Sequence, residues 1–119
     1  MSVLVGAALG AAAVQGLHAQ VKPKAYIVTE FEPIDAEAAK AFTPLIQASQ
    51  KAAGGRNLDT AGGKVVAFVG DPPKRVGIVE WDSLEQAVAW RNGQGWKDLA
   101  PQRDKALKII QAYAVEAVR

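Results

Sequence analysis

Trp96, Leu99 or Ala100, and Arg103 recur at i, i+3 or i+4, and i+7, which puts an indole and a guanidinium on one face of a helix. A guanidinium drawn inward on such a face needs a partner, because burying an unpaired charge is prohibitively costly. Two partners are open to Arg103. The favoured one is a carboxylate, Glu80 or Glu30, in a structural ion pair; the other is the anionic group of a ligand. Trp81, Trp90 and Trp96 crowd the same third of a chain that is only 7% aromatic. They read first as core filling, and second as the wall of a pocket for a flat apolar ligand, with Tyr26 and Asn92 offering hydrogen bonds. The candidate ligand-binding set is therefore Tyr26, Trp81, Trp90, Asn92, Trp96 and Arg103. The candidate catalytic set is Glu80, Tyr26 and Arg103. Glu30 and Glu80, on neighbouring strands, would furnish a general base of raised pKa if they shared a proton, and Arg103 would then stabilise a developing oxyanion. Solvated strand-end carboxylates are the simpler reading of the two glutamates.

Other chemistries are bounded by composition. The 119 residues include no Cys and one His, His18, so disulfides and thiol chemistry are excluded. The 14 Lys and Arg against 12 Asp and Glu leave a net charge of +2, and the basic residues are scattered. A nucleic-acid surface needs a basic stripe, so no nucleic-acid partner is expected. Gly54-Gly55-Arg56 and Gly62-Gly63 match neither phosphate-cradling pattern and read as turns. No cofactor and no metal site is expected.

Residues 1–21 carry no charged side chain, and V-L-V-G-A-A-L-G-A-A-A-V has the length of a signal-peptide core, with Gly16 to Ala19 as the cleavage region. Export to the periplasm or beyond is favoured over membrane anchoring, since a span needs about 20 residues of bulkier apolar character. An Ala-rich helix in a cytoplasmic protein is the alternative. Cleavage near Ala19 would remove His18, leaving a domain over residues 22–119 with neither His nor Cys and so without Ser-His, Cys-His or His-ligated haem chemistry.

The elements that must position these residues follow from pattern. A-Y-I-V-T-E-F, residues 25–31, reads as a strand, and Asp35 as the cap of a helix over 36–53 that Pro44 kinks or divides. A strand is expected over residues 64–69, then a stop at Asp71-Pro72-Pro73, then a strand over 75–81, the two forming a hairpin. Ser83 and Gln86 form a capping box for a helix over 84–91. Helix resumes over 96–105, and a last strand covers 107–118. The order β-α-β-β-α-β predicts an α+β, ferredoxin-like fold with a four-stranded antiparallel sheet. The strands are nearly continuous apolar runs, whereas two helices cover only one sheet face. A second copy is the economical cover for the other face, which predicts a homodimer with sheets packed together.

Four pieces of sequence carry a resemblance: A-Y-I-V near the start, A-A-G-G-R at 52–56, D-P-P-K-R-V-G-I-V-E-W-D-S-L-E-Q-A-V-A-W-R at 71–91, and W-K-D-L-A-P-Q-R at 96–103. From Lys24 to Val118 the chain resembles the dimeric α+β-barrel superfamily and, within it, the small bacterial family known as domain of unknown function 1330. The resemblance implies a dimer with a small pocket between sheet and helices in each subunit. Related families include cofactor-independent monooxygenases, haem-degrading enzymes, chlorite dismutase-like and muconolactone isomerase-like enzymes. The chain departs from the haem branch in lacking a usable axial histidine, and from the pattern of the family it resembles in having Trp96 where tyrosine is common and Gly93 and Gly95 where a small polar residue and proline are more usual. Two functions are expected in order: an exported, stress-associated or small-molecule-binding module for an apolar or anionic ligand, and then a cofactor-independent enzyme acting on a small aromatic or lactone-like substrate.

Overall fold

The computed structural model describes residues 22–119, so the expected leader, its cleavage region and His18 lie outside the described residues. Strand β1 (Ala25–Pro33) is followed by helix α1 (Ala36–Ala52), a two-residue strand β2 (Arg56–Asn57), strand β3 (Arg75–Trp81), helices α2 (Leu84–Arg91), α3 (Gln94–Lys97) and α4 (Ala100–Ala106), and strand β4 (Leu107–Glu116). The sheet is four-stranded in the order β2-β3-β1-β4, and each pair is antiparallel. This is the α+β, ferredoxin-like arrangement that the sequence predicts. No helix among the described residues is long and apolar enough to cross a membrane.

The helix boundaries follow their caps. The Asp35 carboxylate accepts from the amide of Glu37, and Ser83 Oγ accepts from the amide of Gln86 at 3.1 Å. The Gln86 side chain binds back to the Asp82 amide and reaches across to donate to the carbonyl of Ala53, tying the start of α2 to the end of α1. Pro44 sits inside a single continuous α1, so it does not divide the helix.

The expected strand over residues 64–69 does not form. The outer edge of β3 is occupied by what precedes it: Arg56 and Asn57 pair with Glu80 and Val79, the Leu58 amide donates to the Ile78 carbonyl, and Thr60 Oγ1 donates to the Val76 carbonyl at 2.6 Å. Asp59, with φ of 58°, turns the chain off the sheet between these contacts. Residues 64–69 are left as an arm beyond the Gly62-Gly63 turn, and Pro72 and Pro73, which lack amide donors, keep it from folding back as a hairpin.

Alternation along the strands separates two chemistries. Ala25, Ile27, Thr29 and Phe31 of β1, with Gly77, Val79 and Trp81 of β3, face the helices; Tyr26, Val28, Glu30, Ile78 and Glu80 face away. The core on the helix side joins Ala25, Ile27, Val79, Trp81, Ala87 and Trp90. Trp81 is wholly buried, and room for its ring depends on Gly55, where an added Cβ would lie 2.8 Å from the indole and 2.9 Å from Val79.

Gly55→Ala is therefore expected to lower stability by about 1–3 kcal/mol, read as a lower urea midpoint at unchanged slope. Gly62→Ala, where a Cβ meets nothing within 4 Å, is the control and should shift stability by under about 0.5 kcal/mol.

Candidate functional site

A cavity of about 130 Å³ lies between the helix-facing side of the sheet and helices α1, α2 and α4. Ile27, Phe31, Val79, Phe42, Ile46 and Trp90 supply its apolar lining. Phe42, Ile46 and Gln50 recur at i, i+4 and i+8, so α1 presents them on one stripe. Gln50 is the buried polar member of that stripe. Asn57 Nδ2 donates to Gln50 Oε1 at 3.2 Å, which fixes the orientation of the Gln50 amide.

The charged end of the cavity is built on Trp96. The Arg91 guanidinium carbon sits 3.7 Å from the centroid of the Trp96 ring, and that of Arg103 sits 3.9 Å from it. Two guanidiniums this close to one centroid cannot share a face, so the indole is held between them. Cation–π attraction sets both contacts. Arg103 Nη1 also donates to the Trp96 carbonyl at 2.8 Å. Among the described residues no salt bridge includes either arginine. Burial pushes the Arg91 guanidinium below its ordinary value, helped by the positive charge of Arg103, and burial does the same to Arg103 against a weaker opposing pull from Asp104. Both remain cations near neutral pH, at a site that would gain from an anion.

The expected ion pair of Arg103 with Glu80 or Glu30 is absent, because the pleat sends both glutamates to the opposite face. On that face Arg56 Nε donates to Glu80 Oε1 at 2.7 Å and Tyr26 Oη donates to Glu80 Oε2 at 3.0 Å. Arg56 Nη2 also reaches Asp82 at 2.9 Å, with Lys24 nearby. Hydrogen bonds from Arg56 and then Tyr26 hold the Glu80 carboxyl below the usual carboxylate range, the reverse of the raised value that a general base would need. Its hydrogen bond to Glu80 raises the Tyr26 phenol. Nor do Glu30 and Glu80 share a proton. Glu30 stands opposite Val76 and Glu80 opposite Tyr26, four positions away along β1 and so about 13 Å apart.

Of the ligand-binding candidates, Trp90, Trp96 and Arg103 line the cavity and Tyr26 does not. Trp81 lies beneath it, 5.3 Å from Trp90, while Trp90 meets Trp96 edge-on at 5.5 Å. Trp90 Nε1 is satisfied by Ser49 Oγ, whereas Trp81 Nε1 is buried without a partner among the described residues. Asn92 lines a separate depression between α2 and β4. Sequence reasoning missed Arg91, Gln50 and Asn57. A glutamine in register with Phe42 and Ile46 was the readable signal for Gln50. Arg91 gave none, because a basic residue in the last turn of a helix has a sufficient local explanation.

The pH behaviour of the outer network follows from its sign. A carboxyl whose folded pKa is depressed contributes stability that is present above its unfolded pKa and is lost as pH falls through the folded value. By NMR titration the Glu80 carboxyl should have its midpoint below that of an ordinary glutamate, and Arg56→Gln should move it upward and flatten the acid limb of the stability profile. An unshifted midpoint in the parent protein would contradict the network.

Comparison with known proteins adds a family and a fold. Among solved structures, a methylated form of a protein of unknown function from Rhodopseudomonas palustris superposes with a TM-score of 0.60 at 13% identity, covering 82% of this chain and 83% of that one. A second structure of that protein gives 0.59 at 12% identity, covering 82% and 85%. A third, provisionally described as an antibiotic biosynthesis monooxygenase from Chloroflexus aurantiacus J-10-fl, reaches only 0.45 at 15% identity over 81% and 94%, a likeness too loose to bear on activity. A search of curated proteins found no match. The model of the domain of unknown function DUF1330 matches residues 24–118, nearly all of the described chain. The chain belongs to the DUF1330 family.

Proposed function

We propose that the protein is a non-catalytic binding module for a small organic anion, a carboxylate carried on a flat apolar body. One observation carries this reading: the cavity lining includes two guanidiniums without carboxylate partners and no Asp, Glu, His, Lys, Tyr or Cys. Its remaining polar groups are the hydroxyls of Thr29 and Thr43 and the amides of Gln47, Gln50 and Asn57. Such a set donates hydrogen bonds and attracts negative charge, but it moves no proton near neutral pH. The enzymatic alternative loses its proton carriers, since Glu80 and Tyr26 lie across the sheet and are bonded to each other. Size supports a compact ligand body. An enclosed apolar cavity of about 150 Å³ holds benzene in another protein, and the volume here is slightly smaller. The charge-free first 21 residues support export with cleavage near Ala19, which places the ligand outside the cytoplasm. Finding residues 1–19 retained in protein recovered from its own source would refute that placement.

Benzoate is the probe for the cavity. Trp90 and Trp96 line it, so saturable quenching of tryptophan fluorescence reports occupancy. Benzoate should bind at least tenfold more tightly than benzyl alcohol, and Arg103→Gln or Arg91→Gln should each weaken benzoate by about tenfold or more while leaving benzyl alcohol unchanged. Equal binding of acid and alcohol, or no saturation by benzoate or by other aromatic and short aliphatic monocarboxylates, would reject the reading.

A further inference from the structure

The arm over residues 64–69 is the least satisfied segment of the described chain. Phe68 and Val69 are each 95% exposed and Val66 is 66% exposed, although V-V-A-F-V has the composition of a buried strand. No backbone hydrogen bond joins these residues to the rest of the described chain. The same molecule carries a second unsatisfied feature. Among the described residues strand β4 is a sheet edge, paired only with β1, and its ten residues present a row of amides and carbonyls on the other side. A free edge of that length invites strand addition.

We propose that the arm of each chain adds as a fifth, antiparallel strand to the free edge of β4 in a second copy, closing a reciprocal dimer. The register is set by side-chain complementarity. With Lys64 opposite Glu116 of the second copy, Phe68 falls opposite Ala112, Val66 opposite Ala114, and Ala67 opposite Tyr113, so on the helix side each large arm residue meets an alanine, while on the other side Val65 meets Val115 and Val69 meets Gln111. The charges also match: Lys64 meets Glu116 at one end, and Asp71 falls beside Lys108 at the other. In this register Phe68 and Val66 lie on the helix side of the sheet, where Ala112 and Ala114 with Ala87 and Val88 form the apolar part of a depression between α2 and β4 that Arg91, Asn92 and Tyr113 also line. A second copy is the occupant because arm and edge are both present once per chain, and exchange between two copies uses both and leaves no further arm free.

The chain has no cysteine, so paired cysteines can be introduced without background. Full-length protein carrying Val66→Cys and Ala114→Cys, oxidised and analysed by denaturing mass spectrometry, should form a covalent dimer at least tenfold more readily than the pair Val66→Cys and Val115→Cys, which falls on opposite faces. Phe68→Asp should raise the dimer dissociation constant by about 100-fold in analytical ultracentrifugation while leaving the far-ultraviolet circular dichroism unchanged, since the ring is exposed in the single chain. A monomeric parent protein, a crosslink within one chain, or a dimer indifferent to both changes would overturn the proposal. Benzoate binding by Phe68→Asp separates this result from the cavity reading, which needs no second copy.

Discussion

The fold depends on one contact chain: Trp81 against Trp90, and Trp90 against Trp96. Trp81 fixes the depth at which α2 rides over β1 and β3, because its ring is wholly enclosed and tilts at 31° against that of Trp90. Gly55 clears the space for it, and Gln86 ties the loop holding Gly55 to the start of α2. A buried indole of this size contributes more apolar contact than any other side chain in a domain of this length. That contribution offsets its unpartnered Nε1–H, whose desolvation costs on the order of 1–3 kcal/mol. The ladder then runs outward, since Trp90 is core and Trp96 is half-exposed, so the same series of rings that closes the core sets the wall and rim of the cavity.

Strand alternation decides which chemistry is available there. β1 and β3 each alternate between apolar residues that face the helices and residues that include Tyr26, Glu30 and Glu80 facing away. The sheet thus separates the proton-carrying groups from the cavity. Glu80 holds Arg56 and Tyr26, and through Arg56 is joined to Asp82, in a network that fastens the short edge strand β2 to β3. Such a network on a partly exposed face contributes modestly to stability and is screened by salt. Its clearer effect is positional: it holds Arg56 and Asn57 in register, and Asn57 in turn orients Gln50 inside the cavity.

Much of this was legible in the sequence, and the failures have physical causes. Local signals gave the caps at Asp35 and Ser83, the strands at Ala25 and Arg75, and the antiparallel α+β order, because each is written within a few residues. The arm was misread because β propensity describes a residue's preference and not the availability of an edge to pair with. Leu58, Asp59 and Thr60 had already occupied the edge of β3, through one amide, one hydroxyl and one left-handed residue whose effect no periodicity records. Trp96 and Arg103 both line the cavity, but from two short helices, α3 and α4, and not from the one helix over 96–105 that their spacing assumed, since the chain breaks at Asp98 and Leu99. Assigning Glu80 as the partner of Arg103 failed on parity: Glu80 is one residue from Val79 and one from Trp81, both of which face the helices, so the pleat turns it away.

Arg91 and Arg103 show why pairing rules alone do not find a site. Each guanidinium loses hydration on entering the cavity rim, and each recovers part of that loss from the face of Trp96 instead of from a carboxylate. An aromatic face attracts a cation without neutralising it, so the positive charge remains available to a third group. Two such cations on one ring repel, as the downward pull of Arg103 on Arg91 records. A carboxylate meeting the free N–H groups of either guanidinium at the rim of the ring would satisfy its donors and offset part of that repulsion, which an internal ion pair would have pre-empted. Keeping Glu80 on the far side of the sheet is therefore part of why both guanidiniums stand at the rim without a carboxylate.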